Sequence, residues 1–193
     1  MTEAVFFAKH FLLAMPGLQG EYFAGSVIFV CEHSSKGALG LMINRPTDLT
    51  VKHLLEQVEL ANSAEATLDL SQNRVFQGGP VQTYRGFVLH TSHSSLKPYN
   101  SSLDLGDTLS LTTSRDILQD VAEGVGPKRM LVTLGYVGWG AGQLEEEMAQ
   151  NVWLSVAAEN NILFDVPPED RYLKALGLLG IDPIMLTGAA GHA

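Results

Sequence analysis

The sequence predicts an α+β fold in which helices pack against a mixed β-sheet. Segments with strand signals outnumber segments with helix signals by about two to one, and they dominate the middle of the chain. The segments do not alternate strictly between strand and helix, which argues against a doubly wound sheet. The 193 residues match the usual length of one domain. We therefore expect a single domain over residues 1–186 and a frayed tail of small residues over 187–193.

Each strand is predicted from a short run of β-branched and aromatic residues that ends near Gly, Pro or Asn. Residues 26–32 (SVIFVCE) form one such run. Gly37 separates this run from residues 38–44, so the two strands are expected to form a hairpin. Arg45 and Pro46 are expected to end the second strand. The predicted strands cover residues 11–15, 26–32, 38–44, 74–77, 86–91, 108–112, 128–136 and 152–157.

The helices are predicted from capping signals. Asp48 or Thr50 can accept a hydrogen bond from a first helical turn, and Thr113 with Asp116 resembles a capping box. A proline pair beginning at Pro167 suits the start of the last helix. Between the helices, the stretch rich in Ser, Asn and Asp over 92–107 is expected to be irregular. The predicted helices cover about residues 50–58, 113–123, 143–150 and 167–177.

The charge balance bears on partners. Twelve Lys and Arg residues stand against 21 Asp and Glu residues, which gives a formal charge of −9. That charge repels phosphate backbones, so direct binding to nucleic acid is disfavoured. No apolar run approaches about 18 residues, so no membrane span is expected. Cys31 is the only cysteine and Glu3 and Lys9 interrupt the apolar N-terminus, unlike a signal peptide; we therefore expect a cytoplasmic protein.

The glycine-rich stretch over 135–142 follows a predicted strand and opens a predicted helix, as a phosphate-binding turn does. Its spacing does not fit a dinucleotide motif, because Gln143 stands where the last glycine after Gly138 would be. The acidic residues from Glu145 onward would also repel an anion. We therefore favour a tight turn that lets Trp139 pack, with binding as the alternative.

The three consecutive glutamates, Glu145 to Glu147, could suggest a metal or acid–base site. On a helix they point about 100° apart, so they cannot converge. We interpret them as a solvated first turn, with Leu144 and Met148 facing the core.

Cys31 and His33 form a candidate reactive thiol pair, because alternate residues of a strand share a face. The alternative is a buried structural cysteine beside a strand-end histidine, which is the commoner arrangement. His90 and His93 lie near another strand end, but their spacing matches no zinc motif. The sequence therefore predicts no metal site, and it contains no catalytic motif or cofactor signature.

Two compact loops end predicted strands: Asn44-Arg45-Pro46 and Gly78-Gly79-Pro80. Arg45 could bind a carboxylate or phosphate with two parallel hydrogen bonds, or it could pin its own loop. The candidate ligand-binding set is Asn44, Arg45, Gly78, Gly79, Gly138, Trp139 and Gln143.

Several segments, taken together, resemble the AlgH/YqgE family of bacterial proteins. They occur in the family's order and cover nearly the whole chain: HFLLAMP (10–16), SVIFVCEH (26–33), GALGLMINRP (37–46), VFQGGPV (75–81), GFVLH (86–90), SRDIL (114–118), GYVGWGAGQLEEE (135–147), NVWL (151–154) and GID (180–182). The resemblance implies a strongly bent sheet that forms a partial barrel with about four helices outside. One branch of the family carries the label of a regulator of alginate synthesis, sometimes written as a transcriptional regulator. No catalytic or binding residue comes with the family.

Three functions follow as hypotheses. The first is a non-enzymatic regulatory or interaction protein that binds protein partners and acts indirectly on transcription. The alternative is a small-molecule or nucleotide-binding protein, or an enzyme, that uses the loops near Arg45, Gly79 and residues 138–143. Direct DNA binding ranks last, because the helix over 114–123 carries Arg115 as its only cation. Exposed strand edges also leave room for a homodimer.

Overall fold

A computed structural model describes residues 6–17, 20, 22–60, 70–92 and 98–188. It confirms the α+β class and the mixed sheet. The described strands, in chain order, are β1 (His10–Ala14), β2 (Val27–Ser34), β3 (Gly37–Met42), β4 (Pro46–Thr50), β5 (Arg74–Gln77), β6 (Val81–Thr91), β7 (Ser102–Gly106), β8 (Leu109–Thr112), β9 (Met130–Gly140) and β10 (Trp153–Ala157). The described helices are α1 (Val51–Gln57), α2 (Arg115–Ala122), α3 (Gln143–Ala149), α4 (Asn160–Phe164), α5 (Arg171–Leu178) and α6 (Pro183–Gly188).

The chain divides into two compact units. The terminal unit comprises Met1–Arg45 and Val137–Ala193, and the central unit comprises Pro46–Tyr136. The single domain predicted over residues 1–186 stays a prediction. Helix α6 reaches Gly188, so it includes the first residues of the predicted tail, and 189–193 lie outside the described residues.

In the terminal unit, the strands are ordered β10-β1-β2-β3-β9, and every neighbouring pair is antiparallel. The predicted β2–β3 hairpin is confirmed, with Ser34 opposite Gly37 at its turn. A register shift between Val30 and Glu32 bends the hairpin locally. The buried residues between the sheet and α3 are Leu12, Ala14, Ile28, Val30, Met42, Val137, Trp139, Leu144 and Trp153.

In the central unit, β9 pairs antiparallel with β6 and parallel with β5. Strand β8 lies between β6 and β7, and β4 pairs with β5. Thr50 caps α1 by accepting a hydrogen bond from the His53 N–H, which confirms one of the two predicted caps. Helices α1 and α2 contribute to one core, which holds Val51, Leu55, Leu70, Val75, Val88, Ile117, Val121, Ala122 and Val132.

Strands β4 and β7 are not among the predicted strands, for different reasons. Pro46 is predicted to end the preceding strand, but it is the first residue of β4, an edge strand with β5 as its described partner. Proline is tolerated at such a position. Strand β7 lies in the stretch predicted to be irregular. Its two-residue turn to β8 is Asp107-Thr108, with φ values of 52° and 64°. That geometry usually calls for an Asn-Gly or Asp-Gly sequence, so the hairpin gave no recognisable turn signal.

Other boundaries also differ. Strand β9 continues to Gly140, so most of the glycine-rich stretch is strand rather than turn. Helix α2 begins after Ser114, not Thr113, and the short helices α4 and α6 were not predicted. The N-cap residue of α4 is Glu159, which is not one of the preferred capping residues, so the sequence has no start signal there. Within the described ranges, no helix has the length and apolar character that a membrane span requires.

Gly78, the residue after β5, closely approaches Gly135 of β9. A side chain on Gly78 would collide with the Gly135 carbonyl and with the Thr133 side chain. The Thr133 hydroxyl beside this contact is buried and has no hydrogen-bond partner among the described residues. A buried hydroxyl without a partner lowers stability.

We therefore expect Thr133→Val to raise the free energy of unfolding by about 1 kcal/mol, because valine has a similar shape and no unsatisfied group. Thr112→Val is the matched control: Thr112 is equally buried, but its hydroxyl bonds to His90 Nε2 at 2.8 Å and to Ser102 Oγ at 2.6 Å. This control should lose about 1–3 kcal/mol. Urea unfolding of both variants measures the difference, and a loss of stability in both would contradict the interpretation.

Candidate functional site

The glutamates of α3 are engaged by the terminal unit's own side chains. Glu147 Oε2 accepts hydrogen bonds from the indole N–H of Trp139 at 2.9 Å and of Trp153 at 2.8 Å. Its Oε1 accepts from Gln143 Nε2 at 3.0 Å. The two indole rings meet edge to face, with centroids 6.4 Å apart. The interpretation of these glutamates as a solvated first turn was therefore wrong for Glu147, whereas the predicted burial of Leu144 is confirmed.

The turn between β9 and α3 makes this arrangement possible. Gly142 stands at the helix N-cap with φ 74°, a conformation that suits glycine. Gln143 Oε1 accepts a hydrogen bond from the Gly140 N–H at 3.0 Å, which closes the turn. Because α3 starts so soon after β9, Glu147, one turn into the helix, reaches back to Trp139. The glycine-rich segment thus positions a carboxylate against two tryptophans, and Gln143 is used in holding it.

His33 is held from both sides. Its Nδ1 accepts the backbone N–H of Phe7 at 3.0 Å, so the ring proton lies on Nε2, which donates to Glu145 Oε1 at 3.1 Å. The ring also stacks on Phe7, with centroids 5.6 Å apart. These contacts account for both ring nitrogens, and neither contact involves Cys31.

Cys31 is buried in β2, beside the register shift. Its Sγ lies 3.9 Å from the Phe29 carbonyl oxygen. Burial raises the pKa of the Cys31 thiol above its usual range, and the Glu32 carboxylate acts in the same direction. The thiol lies two residues from His33, and none of the described contacts of His33 involves it. The surroundings of Cys31 disfavour the reactive thiolate.

Asn44 and Arg45 bind their own unit. Asn44 Oδ1 accepts the Val27 N–H at 2.9 Å, and its Nδ2 donates to the Gly25 carbonyl at 2.9 Å. Arg45 donates to the Ala24 carbonyl at 2.9 Å and lies over the ring of Tyr22, 5.6 Å from its centroid. This matches the alternative in which Arg45 pins a loop.

Within the terminal unit, the structure does not collect the predicted ligand-binding residues in one place. Gly140 pairs with Gly37 at the start of β3, whereas Asn44 follows the other end of that strand. Gly138, Trp139 and Gln143 thus lie away from Asn44 and Arg45. Gly78 and Gly79 belong to the central unit, where they make the close approach to Gly135.

His90 also has partners. Its Nδ1 lies 3.0 Å from the Thr91 carbonyl and its Nε2 bonds to Thr112. Burial lowers the pKa of His90, although the bond to Thr91 opposes this. His93 lies outside the described residues. In the part of the chain that the structure describes, no three His, Cys, Asp or Glu side chains are grouped for a metal ion.

The sequence did not indicate the free edge of β10. Strand β10 is an edge strand of the sheet, and β1 is its one partner among the described strands. The Met15 N–H bonds to the Val152 carbonyl and the Ala158 N–H to the Lys9 carbonyl. Because backbone groups alternate in direction along an antiparallel strand, the N–H and C=O groups of Leu154 and Val156 also point toward β1. The N–H and C=O groups of Trp153, Ser155 and Ala157 therefore point away from it.

Strand β10 differs from the other strands with a single described partner. Strand β4 carries Pro46 and Asp48, and β7 carries Asp104, which are features that discourage another strand from pairing. Strand β10, with the sequence WLSVA, contains neither a charge nor a proline. It is the described edge with the least protection against strand addition.

We expect Glu147→Ala to lower the free energy of unfolding by about 2–4 kcal/mol, because both indole N–H groups lose a charged acceptor. Glu146→Ala is the control: Glu146 is exposed and its side chain bonds to Gln150 at 3.4 Å, so its loss should cost less than about 0.5 kcal/mol. Urea unfolding followed by tryptophan fluorescence measures both. Equal effects would show that the indoles do not depend on Glu147.

We expect the Cys31 thiol of the folded protein to react with a disulfide reagent at pH 8 more slowly than the unfolded chain by about two orders of magnitude, because burial raises its pKa. A rate equal to that of the unfolded chain would revive the reactive-thiol hypothesis.

The comparisons with known proteins place the chain in a family. A family model described as AlgH-like matches residues 11–184. A UPF0301 protein of Bordetella petrii is 62% identical, over 100% of this chain and 92% of its own length, and one of Delftia acidovorans is 52% identical, over 100% and 98%.

Two solved structures are similar as well. The solution structure of the AlgH protein from Pseudomonas aeruginosa has a TM-score of 0.77 and 44% identity, covering 100% of this chain and 99% of that one. A crystal structure of a protein from Corynebacterium diphtheriae shares the fold, with a TM-score of 0.71 at 19% identity and coverage of 96% and 92%. These names state a family and no activity. The chain belongs to the AlgH-like family.

Proposed function

We propose that this protein is a non-enzymatic regulatory protein that binds an extended segment of a protein partner at the free edge of β10. The observation that carries the proposal is the direction of the backbone groups of Trp153, Ser155 and Ala157, which point away from β1 on a strand without charge or proline. Strand addition to such an edge is a recurrent mode of peptide recognition.

The environment of the potentially reactive groups supports binding over catalysis. Cys31 is buried, His33 is held between Phe7 and Glu145, and Glu147 is held by two indoles. Each of these groups serves the packing of its own unit. No described histidine or carboxylate bonds to the Cys31 thiol, and Glu145, the partner of His33, holds a ring that is already fixed against Phe7.

The edge also indicates the chemistry of the partner. Backbone hydrogen bonds tolerate many sequences, so selectivity must come from side chains on the two faces of the added strand. Leu154 and Val156 are half-buried on one face, and Ser155 is half-buried on the other. A segment that alternates apolar and small polar residues fits both faces. The net charge of −9 disfavours an acidic segment.

An influence on transcription would then be indirect, since the partner rather than this chain would contact DNA. The same acidic charge that disfavours nucleic acid leaves binding to a protein segment unhindered, because the edge itself is uncharged.

The test is a photo-crosslinking residue at Ala157, which is exposed at the end of β10, followed by binding measurements with the captured partner. Ser155→Pro should weaken binding by about tenfold or more, because it removes an outward N–H while the bonds to β1 remain. Ser155→Ala keeps that N–H and should bind as the original chain does.

Equal binding by the two variants would refute strand addition at β10. Strand addition at β10 would also be refuted if residue 157 captured no partner, as a control position on β7 is expected to capture none. The captured species could be a second copy of this chain, with dimerisation lost in Ser155→Pro and retained in Ser155→Ala. That result would support strand addition at β10 but would overturn the proposal that the occupant is a different protein.

A further inference from the structure

The central unit contains an open cavity of about 470 Å³. Pockets that bind small molecules usually measure about 300–1,000 Å³. The cavity lies between the end of α1, the start of α2 and one face of the sheet formed by β6, β8 and β9. All of its lining residues belong to the central unit, whereas β10 belongs to the terminal unit.

The floor of the cavity is apolar because residues of one sheet face point into it. Gly86 and Val88 are two residues apart on β6, so they lie on the same face of the sheet. Their partners on β9 are Leu134 and Val132. Leu54 of α1 and Leu118 of α2 add apolar walls. An apolar molecule placed here would cover the half-buried side chains of Leu54, Leu118 and Leu134.

Gly86 provides the room. A Cβ built on Gly86 would have no other atom within 4 Å, and its φ is not in the left-handed region. In a strand interior, glycine weakens packing and often marks a place where a ligand approaches the backbone. The space above Gly86 lies on the cavity face, between its strand neighbours Tyr84 and Val88, and Tyr84 is 85% exposed at the rim.

Arg115 gives the cavity its cation. Its guanidinium donates to the carbonyl oxygen of Val58, which fixes the side chain across the gap between α2 and α1. A guanidinium has several further N–H donors, and its planar shape suits a carboxylate. Arg115 is also the first residue of α2, where the helix dipole favours an anion.

Glu59 limits the charge that the cavity accepts. It lines the cavity at the end of α1, so a dianion such as a phosphate monoester would meet a carboxylate as well as Arg115. A single carboxylate can approach Arg115 while its apolar body covers the sheet. We propose that this cavity binds a small organic acid, with one carboxylate at Arg115 and an apolar ring or chain over Gly86.

The test uses 4-phenylbutyrate and its neutral analogue 4-phenylbutyramide as probes, with binding followed by backbone amide chemical shifts. The acid should give saturable shifts centred on Gly86, Val88 and Val132, with a dissociation constant at least about tenfold below that of the amide. Shifts centred elsewhere, no saturable shifts, or equal binding of acid and amide would overturn the proposal.

Variants separate the two parts of the site. Gly86→Leu should fill the space and lower the affinity for the acid by about tenfold or more, whereas Gly177→Leu is the matched control, because Gly177 also has open space around it but belongs to the terminal unit. Arg115→Gln should abolish the preference for acid over amide, and Arg115→Lys should retain part of it. Because the arginine variants leave the sheet untouched, they decide the matter even if Gly86→Leu does not fold. Unchanged acid preference in Arg115→Gln would overturn the assignment.

Discussion

Strand β9 hydrogen-bonds to β3 over its last residues and to β5 and β6 over its first ones. In the terminal unit it carries Trp139 into the core, and in the central unit it carries Val132 and Leu134 to the cavity floor. Each unit therefore depends on the register of this strand. Glycines make that register possible: Gly78 and Gly135 let two backbones meet, and Gly142 lets the chain turn into α3.

The polar groups of the terminal unit are arranged to hold the sheet rather than to react. Glu147 satisfies two indole N–H groups that would otherwise lack an acceptor in a largely apolar cluster, and Glu145 satisfies His33. Such bonds to charged groups are stronger than neutral ones, and leaving either partner alone costs more than the bond contributes. These acids and bases are therefore engaged in packing contacts, and we place the proposed binding instead at the outer edge of β10 and in the cavity of the central unit.

Much of the fold follows from local patterns, because the residue types and spacing within a short segment are enough to favour a strand, a helix or a cap. The β-branched and aromatic residues of SVIFVCE predict a strand, the residue types of Asp48 and Thr50 predict a helix cap at one of them, and helical spacing predicts the burial of Leu144. What could not be predicted depends on distant partners or on unusual backbone geometry. Glu147 could be assigned only once Trp153 was placed beside Trp139, and β7 was hidden by an Asp-Thr turn with two positive φ angles. The cavity joins Arg115 to Gly86, and no short-range signal links residues so far apart in sequence.

The account of function depends on whether the outer side of β10 is open in the free protein. Amide hydrogen exchange measured residue by residue tests this directly, because a backbone N–H bonded to β1 exchanges slowly and one that faces water exchanges fast. The account predicts an alternation along the strand, with slow exchange at Leu154 and Val156 and fast exchange at Ser155 and Ala157. Slow exchange at all four residues in the free protein would contradict it, since the edge would already be covered.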